Sequence, residues 1–147
     1  MIGWRVGWVV GPEEIIRDIN LVGLSNVVCQ VGIAQEAVAA ALNAPDADDD
    51  MRAAVATWKA RRDSILTQLS GYPLVPPDGG WSLLIDTTKL GMHPAEAMER
   101  LFVKGRVVAT PMTGWGPAGD NYLRLVFANE PVERLHDLGA RVAAAWG

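Results

Sequence analysis

Asn121-Tyr122-Leu123-Arg124-Leu125-Val126-Phe127-Ala128 decides how the rest of the chain is read. Aromatic and β-branched residues make Tyr122–Ala128 the clearest strand signal in the sequence. A full positive charge, Arg124, stands in the middle of it. Its apolar neighbours suggest a buried strand, where an unpaired charge costs on the order of several kcal/mol. Arg124 therefore needs an anionic partner, either a carboxylate of this chain or the anionic group of a ligand. The loop just before the strand, Pro111-Met112-Thr113-Gly114-Trp115-Gly116-Pro117-Ala118-Gly119, is rich in glycine, which lets a ligand approach the backbone closely. The residues alone leave both partners open.

Outward from this strand the periods alternate. Pro131 to Trp146 predicts a terminal helix with Val132, Leu135, Leu138 and Val142 inward. Before the loop come a strand at Val107–Ala109, a short amphipathic helix at Pro94–Phe102, and a strand at Trp81–Ile85 introduced by Gly79-Gly80. Leu74-Val75 is a further short strand. Residues 72–147 are thus expected to form an α/β unit: a mostly antiparallel small sheet with helices on one face.

Upstream, Met51, Val55, Trp58, Ile65 and Leu69 lie on one face of a long helix. Asp48, Asp49 and Asp50 suit its positive end, and Gly71 and Pro73 close it. Another helix is expected over Gly32–Leu42. Pro12, Glu13 and Glu14 open one with Ile15, Ile16 and Ile19 on its apolar face. Trp4–Val10 reads as a strand. Alternation there puts Gly3, Arg5 and Gly7 on one face, so Arg5 stands on a face stripped of side chains, with room for something other than protein. Its planar fork suits a phosphate or a carboxylate, and a buried Asp or Glu fits as well.

Composition narrows the function classes. The chain has 147 residues, half of them hydrophobic, enough for one compact core or a small domain with an extra arm. A net charge of −4 and pI near 5.1 offer no basic stripe for nucleic acid. Cys29 is the only cysteine, so no disulfide framework is expected and a reducing, cytoplasmic setting is the default. His93 and His136 stand far apart without cysteine company, so no metal site is expected. No apolar run reaches the ~20 residues that span a bilayer.

Three motifs carry a resemblance. Gly3-Trp4-Arg5-Val6-Gly7-Trp8 resembles the stretch that follows the Schiff-base lysine in fold-type I pyridoxal-phosphate aminotransferases of the class I/II group. Thr110-Pro111-Met112, through Gly114, Gly116 and Gly119 to Asn121–Ala128, resembles those enzymes' substrate-carboxylate strand. Gly79-Gly80-Trp81 stands where the family has a glycine-glycine-aromatic turn. Order and spacing agree across nearly the whole chain.

The resemblance implies an α/β fold: the family's small C-terminal domain, preceded by a strand and helices of the large domain. Residues 1–45 would be the large-domain remnant and 46–147 the small domain, with 46–70 as bridging helix. Arg5 would hold the phosphate of pyridoxal 5'-phosphate, Arg124 would grip the α-carboxylate, and Gly80 and Trp81 would line the side-chain pocket. Substrates would be an amino acid and a 2-oxo acid, and complete family members are usually homodimers. The Schiff-base lysine would stand a short distance before Arg5, upstream of Met1. The lysines present, Lys59, Lys89 and Lys104, do not occupy that position. The resulting expectation is that these residues alone contain no catalytic lysine, bind the cofactor weakly or not at all, and do not transaminate unless a separate N-terminal chain supplies the rest. Trp4 and Trp8 are then expected to be exposed. Two other readings are a non-catalytic small domain that binds carboxylates or a partner, and part of a lyase or decarboxylase of the same fold.

Overall fold

The computed structural model describes residues 2–147, and its contacts divide them into two units, one ending at Arg52 and one spanning Ala53–Gly147. The larger unit is built round a four-stranded antiparallel sheet. Its strands are β1 (Leu74–Val75), β2 (Ser82–Asp86), β3 (Thr110–Pro111) and β4 (Tyr122–Val126), in the order β1-β2-β4-β3. The central pair sets the register: Leu83 faces Leu125, Leu84 faces Arg124, and Ile85 faces Leu123. Alternation then sends Leu83, Ile85, Leu123 and Leu125 to one side, where all four are buried. Helices α4 (Pro94–Gly105) and α5 (Leu138–Trp146) cover that side with Ala97, Leu101, Leu138, Val142 and Ala145. The expected sheet with helices on one face is the architecture found.

Helix α3 (Ala47–Gln68) adds Ile65 to this core, and Leu69 follows directly after it. Its first turn carries Asp48, Asp49 and Asp50, where carboxylates meet the positive end of the helix. Two polar side chains fasten α3. Arg61 donates to the carbonyl of Ala128 just past β4. Gln68 donates to Leu135 O at 2.6 Å and accepts the Gly139 N–H at 3.2 Å.

That bracket explains one departure from the sequence reading. A continuous helix over Pro131–Trp146 is expected, but the segment forms a 3-10 turn at Val132–Arg134 and only then α5. Gln68 occupies the Leu135 carbonyl and the Gly139 amide, both of which an unbroken helix would need for itself. The strand expected at Val107–Ala109 also moves, to Thr110–Pro111. Arg106 closes α4 in the left-handed region (φ 54°), and the Val107 N–H turns back to Leu101 O at 3.3 Å. Val107 and Ala109 are buried while Val108 is exposed, so the alternation survives without the ladder. β2 starts at Ser82 and β4 ends at Val126, with the Phe127 N–H on Trp81 O at 3.0 Å prolonging the pairing.

The first unit holds α1 (Glu13–Asn26), α2 (Gly32–Leu42) and the first residues of α3. The strand expected at Trp4–Val10 does not form. A 3-10 turn covers Ile2–Trp4, and residues 5–12 take neither helix nor strand. A strand needs a neighbour to accept its ladder bonds, and none of the described strands lies in this unit. Arg5 consequently adopts a positive φ (54°) instead of an extended conformation. Trp4 and Trp8 are exposed, and Ala34 is the one buried hydrophobic side chain in this unit among the described residues.

Two substitutions test this packing. A Cβ on Gly105 would stand 2.8 Å from the Arg141 carbonyl oxygen and 3.3 Å from Leu101 Cδ1. Gly105→Ala should therefore destabilise the unit by about 1–3 kcal/mol. The check is a urea titration, in which the midpoint falls while the slope is retained. Asp86 is the second. Its carboxylate accepts from the Thr88 hydroxyl and amide and lies 3.6 Å from Lys89 Nζ. Above all the Thr88 hydroxyl, against the opposing effect of desolvation, holds it below the ordinary 3.8. A depressed folded-state value means stability present above the unfolded pKa and lost as pH falls through the folded one. The stability gap between wild type and Asp86→Asn should thus be constant above about pH 5 and close as pH drops below 3.8, followed by thermal melts across that range.

Candidate functional site

Burial of Leu123 and Leu125 leaves Arg124 on the opposite, open side of β4, with Leu84 and Thr110 as its cross-strand neighbours. The strand is buried on one face only, so the charge is not sealed in the core. Among the described residues Arg124 belongs to no ion pair. Its Nε is shielded from solvent and has no hydrogen-bond partner. Among the described residues no carboxylate is paired with Arg124.

Two indoles accompany the guanidinium. Its central carbon lies 5.0 Å from the ring centroid of Trp81 and 5.0 Å from that of Trp115. Cation–π contacts of this kind contribute about 0.5–2 kcal/mol each. They engage the π-electron face and leave the in-plane N–H donors available.

Local backbone chemistry places both rings. Gly80 takes φ 81°, open to glycine at little cost, immediately before Trp81, and Trp81 is tied to Phe127 across the sheet. Trp115 stands between Gly114 (φ 88°) and Gly116 (φ 104°). Its own amide donates to Met112 O at 3.0 Å, Gly119 N–H to Gly116 O at 2.9 Å, and Gly114 N–H to Asp120 Oδ1 at 3.3 Å. The glycine-rich loop is thus a built turn. Trp115 was not among the candidate residues in the sequence. The signal for it is a single large aromatic between two glycines in a loop otherwise made mostly of glycine, proline and other small residues.

The structure brings Arg124 together with Trp81, and Gly80 adjoins them through the chain. A cavity of about 380 Å3 is lined in part by Arg106, Thr110, Arg124, Val126 and Arg134. Neither Trp81 nor Trp115 lines it, and Arg134 there is paired with Glu130. The unpaired guanidinium beside the indoles is the better candidate for ligand chemistry.

Arg5 lies in the other unit. It is exposed and, among the described residues, in no ion pair. Cβ atoms added at Gly3 and Gly7 would meet nothing within 4 Å, so its flanks are open. Lys59 is paired with Asp63 and Lys89 with Asp86. Among the described residues no group of His, Cys, Asp and Glu is placed to hold a metal, and no helix is long and apolar enough to cross a membrane.

Comparison with known proteins fits this geometry. The family of aminotransferases class I and II matches residues 1–142. Aromatic-amino-acid aminotransferase 2 of Thermococcus litoralis is 28% identical over 93% of this chain and 36% of its own length. The arginine–pyruvate transaminase of Pseudomonas aeruginosa is 31% identical over 90% of this chain and 34% of its own. Among solved structures, an aspartate aminotransferase of Thermus thermophilus (a tetra mutant) superimposes with a TM-score of 0.84 at 31% identity, over 97% of this chain and 39% of that one. An aromatic aminotransferase of Pyrococcus horikoshii gives 0.85 at 27% identity, over 97% and 38%. The chain belongs to the class I and II aminotransferases, a pyridoxal-phosphate-dependent family of fold-type I, and it spans little more than a third of the length of these relatives.

Proposed function

We propose that these residues form part of the active site of a pyridoxal-phosphate-dependent aminotransferase that moves an amino group between an amino acid and a 2-oxo acid, with Arg124 as the carboxylate grip. The observation that carries this reading is the state of that arginine: unpaired by any described carboxylate, stacked on two indoles, and with an unsatisfied Nε. A carboxylate is the complementary partner, because its two oxygens match the guanidinium fork. Both substrates of a transamination carry an α-carboxylate, so one grip serves both halves of the reaction. Gly80 and Trp81 border the grip and would face the substrate's side chain.

Arg5 would take the cofactor's phosphate, supported by its exposed guanidinium and its open glycine flanks. Bound pyridoxal phosphate supplies the aldehyde that receives the amino group and a ring that withdraws electrons from it. The residues of this chain bind and orient: Arg124 fixes the substrate's carboxylate end and Arg5 the cofactor's anionic end. Residues 1–45 are read as belonging to the cofactor-binding domain and 46–147 as the small domain. The whole enzyme is read as a cytoplasmic homodimer. Cys29, the one cysteine of these residues, is an exposed free thiol, which suits a reducing compartment, and the exposed Trp8, Val10, Leu21 and Ile33 suit burial in an assembly.

In the complete enzyme, Arg124→Ala removes a charged hydrogen-bond partner worth about 1.5–3 kcal/mol. That should lower kcat/KM by roughly 10- to 150-fold, for amino-acid donors and 2-oxo-acid acceptors alike. Steady-state kinetics with both substrate types checks this. Unchanged rates would show that the carboxylate is held elsewhere.

A further inference from the structure

Trp115 has no part in the core. It is 65% exposed, yet the loop that carries it is fixed by two positive-φ glycines and three hydrogen bonds. The described contact of its ring is with the Arg124 guanidinium. An arginine awaiting a ligand faces a physical conflict. A carboxylate partner would hold it still but would occupy the in-plane donors that the ligand must use. An aromatic face holds it through the π system and leaves those donors free. Without some such hold, the long side chain must be ordered anew at each binding event.

The same two rings also form the surface beside the grip. Trp81 is 47% exposed, so a substituent on the carbon next to a bound carboxylate meets indole surface on leaving the guanidinium. The other residues on this face of β2 and β4 are Ser82, Leu84, Asp86, Tyr122 and Val126. None of these is a cation, and the nearby Lys89 is already paired with Asp86; of the arginines that line the cavity beside Arg124, Arg134 is paired with Glu130, and Arg106 lies outside these two strands, just after α4.

We propose that Trp115 is a positioning and specificity residue of this site: with Trp81 it keeps the Arg124 guanidinium ready for a carboxylate and gives an apolar rim, so that the site takes α-carboxylates bearing aromatic or large aliphatic side chains. This rests on the assignment of Arg124 as the grip and goes further by naming the substrate class and a residue that sets it.

The test uses the complete holoenzyme and its Trp115→Ala, Trp115→Phe and Arg124→Ala variants, with phenylalanine, leucine, alanine and glutamate as donors. Far-ultraviolet circular dichroism and melting temperature establish that each variant is folded. The wild type should favour phenylalanine and leucine. Trp115→Ala should raise KM for phenylalanine about 3- to 30-fold and for alanine by a smaller factor, with kcat changed less than KM. Trp115→Phe should restore most of the loss, because it returns an aromatic face. A purely structural role for Trp115 would instead lower melting temperature and reduce all donors by one common factor. That result, or a wild type that prefers glutamate, overturns the proposal. If Arg124→Ala impairs every donor while Trp115→Ala leaves all of them unchanged, the inference about Trp115 fails and the grip stands. If Arg124→Ala changes nothing, the grip itself is wrong, and the inference falls with it.

Discussion

The β2–β4 pair has only one face to give to the core. Once Leu83, Ile85, Leu123 and Leu125 are committed to the helices, strand geometry forces Arg124 out on the other side, whatever its chemistry. A slip of one residue would bury the guanidinium and expose the leucines. The register and the site are therefore one constraint, and the leucines that hold the sheet together also aim the arginine. The turn before β2 and the loop before β4 then need only to bring a ring each to where the charge already stands.

Three arginines of the larger unit show what separates a structural guanidinium from a receptive one. Arg61 donates to the Ala128 carbonyl, which pins α3 to the end of β4. Arg141 donates to the carbonyls of Gly105 and Arg106, where α5 crosses the end of α4. Both direct donors at backbone oxygens, Arg61 through Nη1 and Arg141 through Nε and Nη2, although Arg61 Nε, like Arg124 Nε, is left without a partner. Arg124 spends none on the protein and is held by aromatic faces. The same side chain is a fastening in two places and, on the proposed reading, a binding group in the third, and the difference lies in which of its surfaces the fold engages.

Local signals made much of the fold legible. First-turn acids, proline at the first turn of α4, and period-2 or period-3.6 apolar patterns sit within the segments they shape, so α2, α3, α4, β2 and β4 could be read from the chain. The misses have distant causes. The interruption before α5 is imposed by Gln68, far away in sequence, and nothing within 131–146 announces it. Residues 4–10 carry the alternation of a strand, but alternation describes a surface and cannot supply the neighbour that a ladder needs. At the candidate site, Arg124 stood out in the sequence because a charge violates the pattern of its own strand. Trp115 was not, because an aromatic in a loop violates nothing until the fold sets it against the arginine.

Ala34 is the one buried apolar side chain described in the first unit, against a contiguous cluster in the second. Backbone amides are protected from exchange with solvent by the cost of opening the structure that hides them, and that cost follows buried contacts more than helical hydrogen bonds. For these residues taken by themselves in deuterated water, the amides of α1 and α2 should therefore exchange through local fraying, while those of β2 and β4 wait for the unfolding of the whole sheet. Helices that look as regular as any other would behave as two populations, divided by how little one of them has to lose.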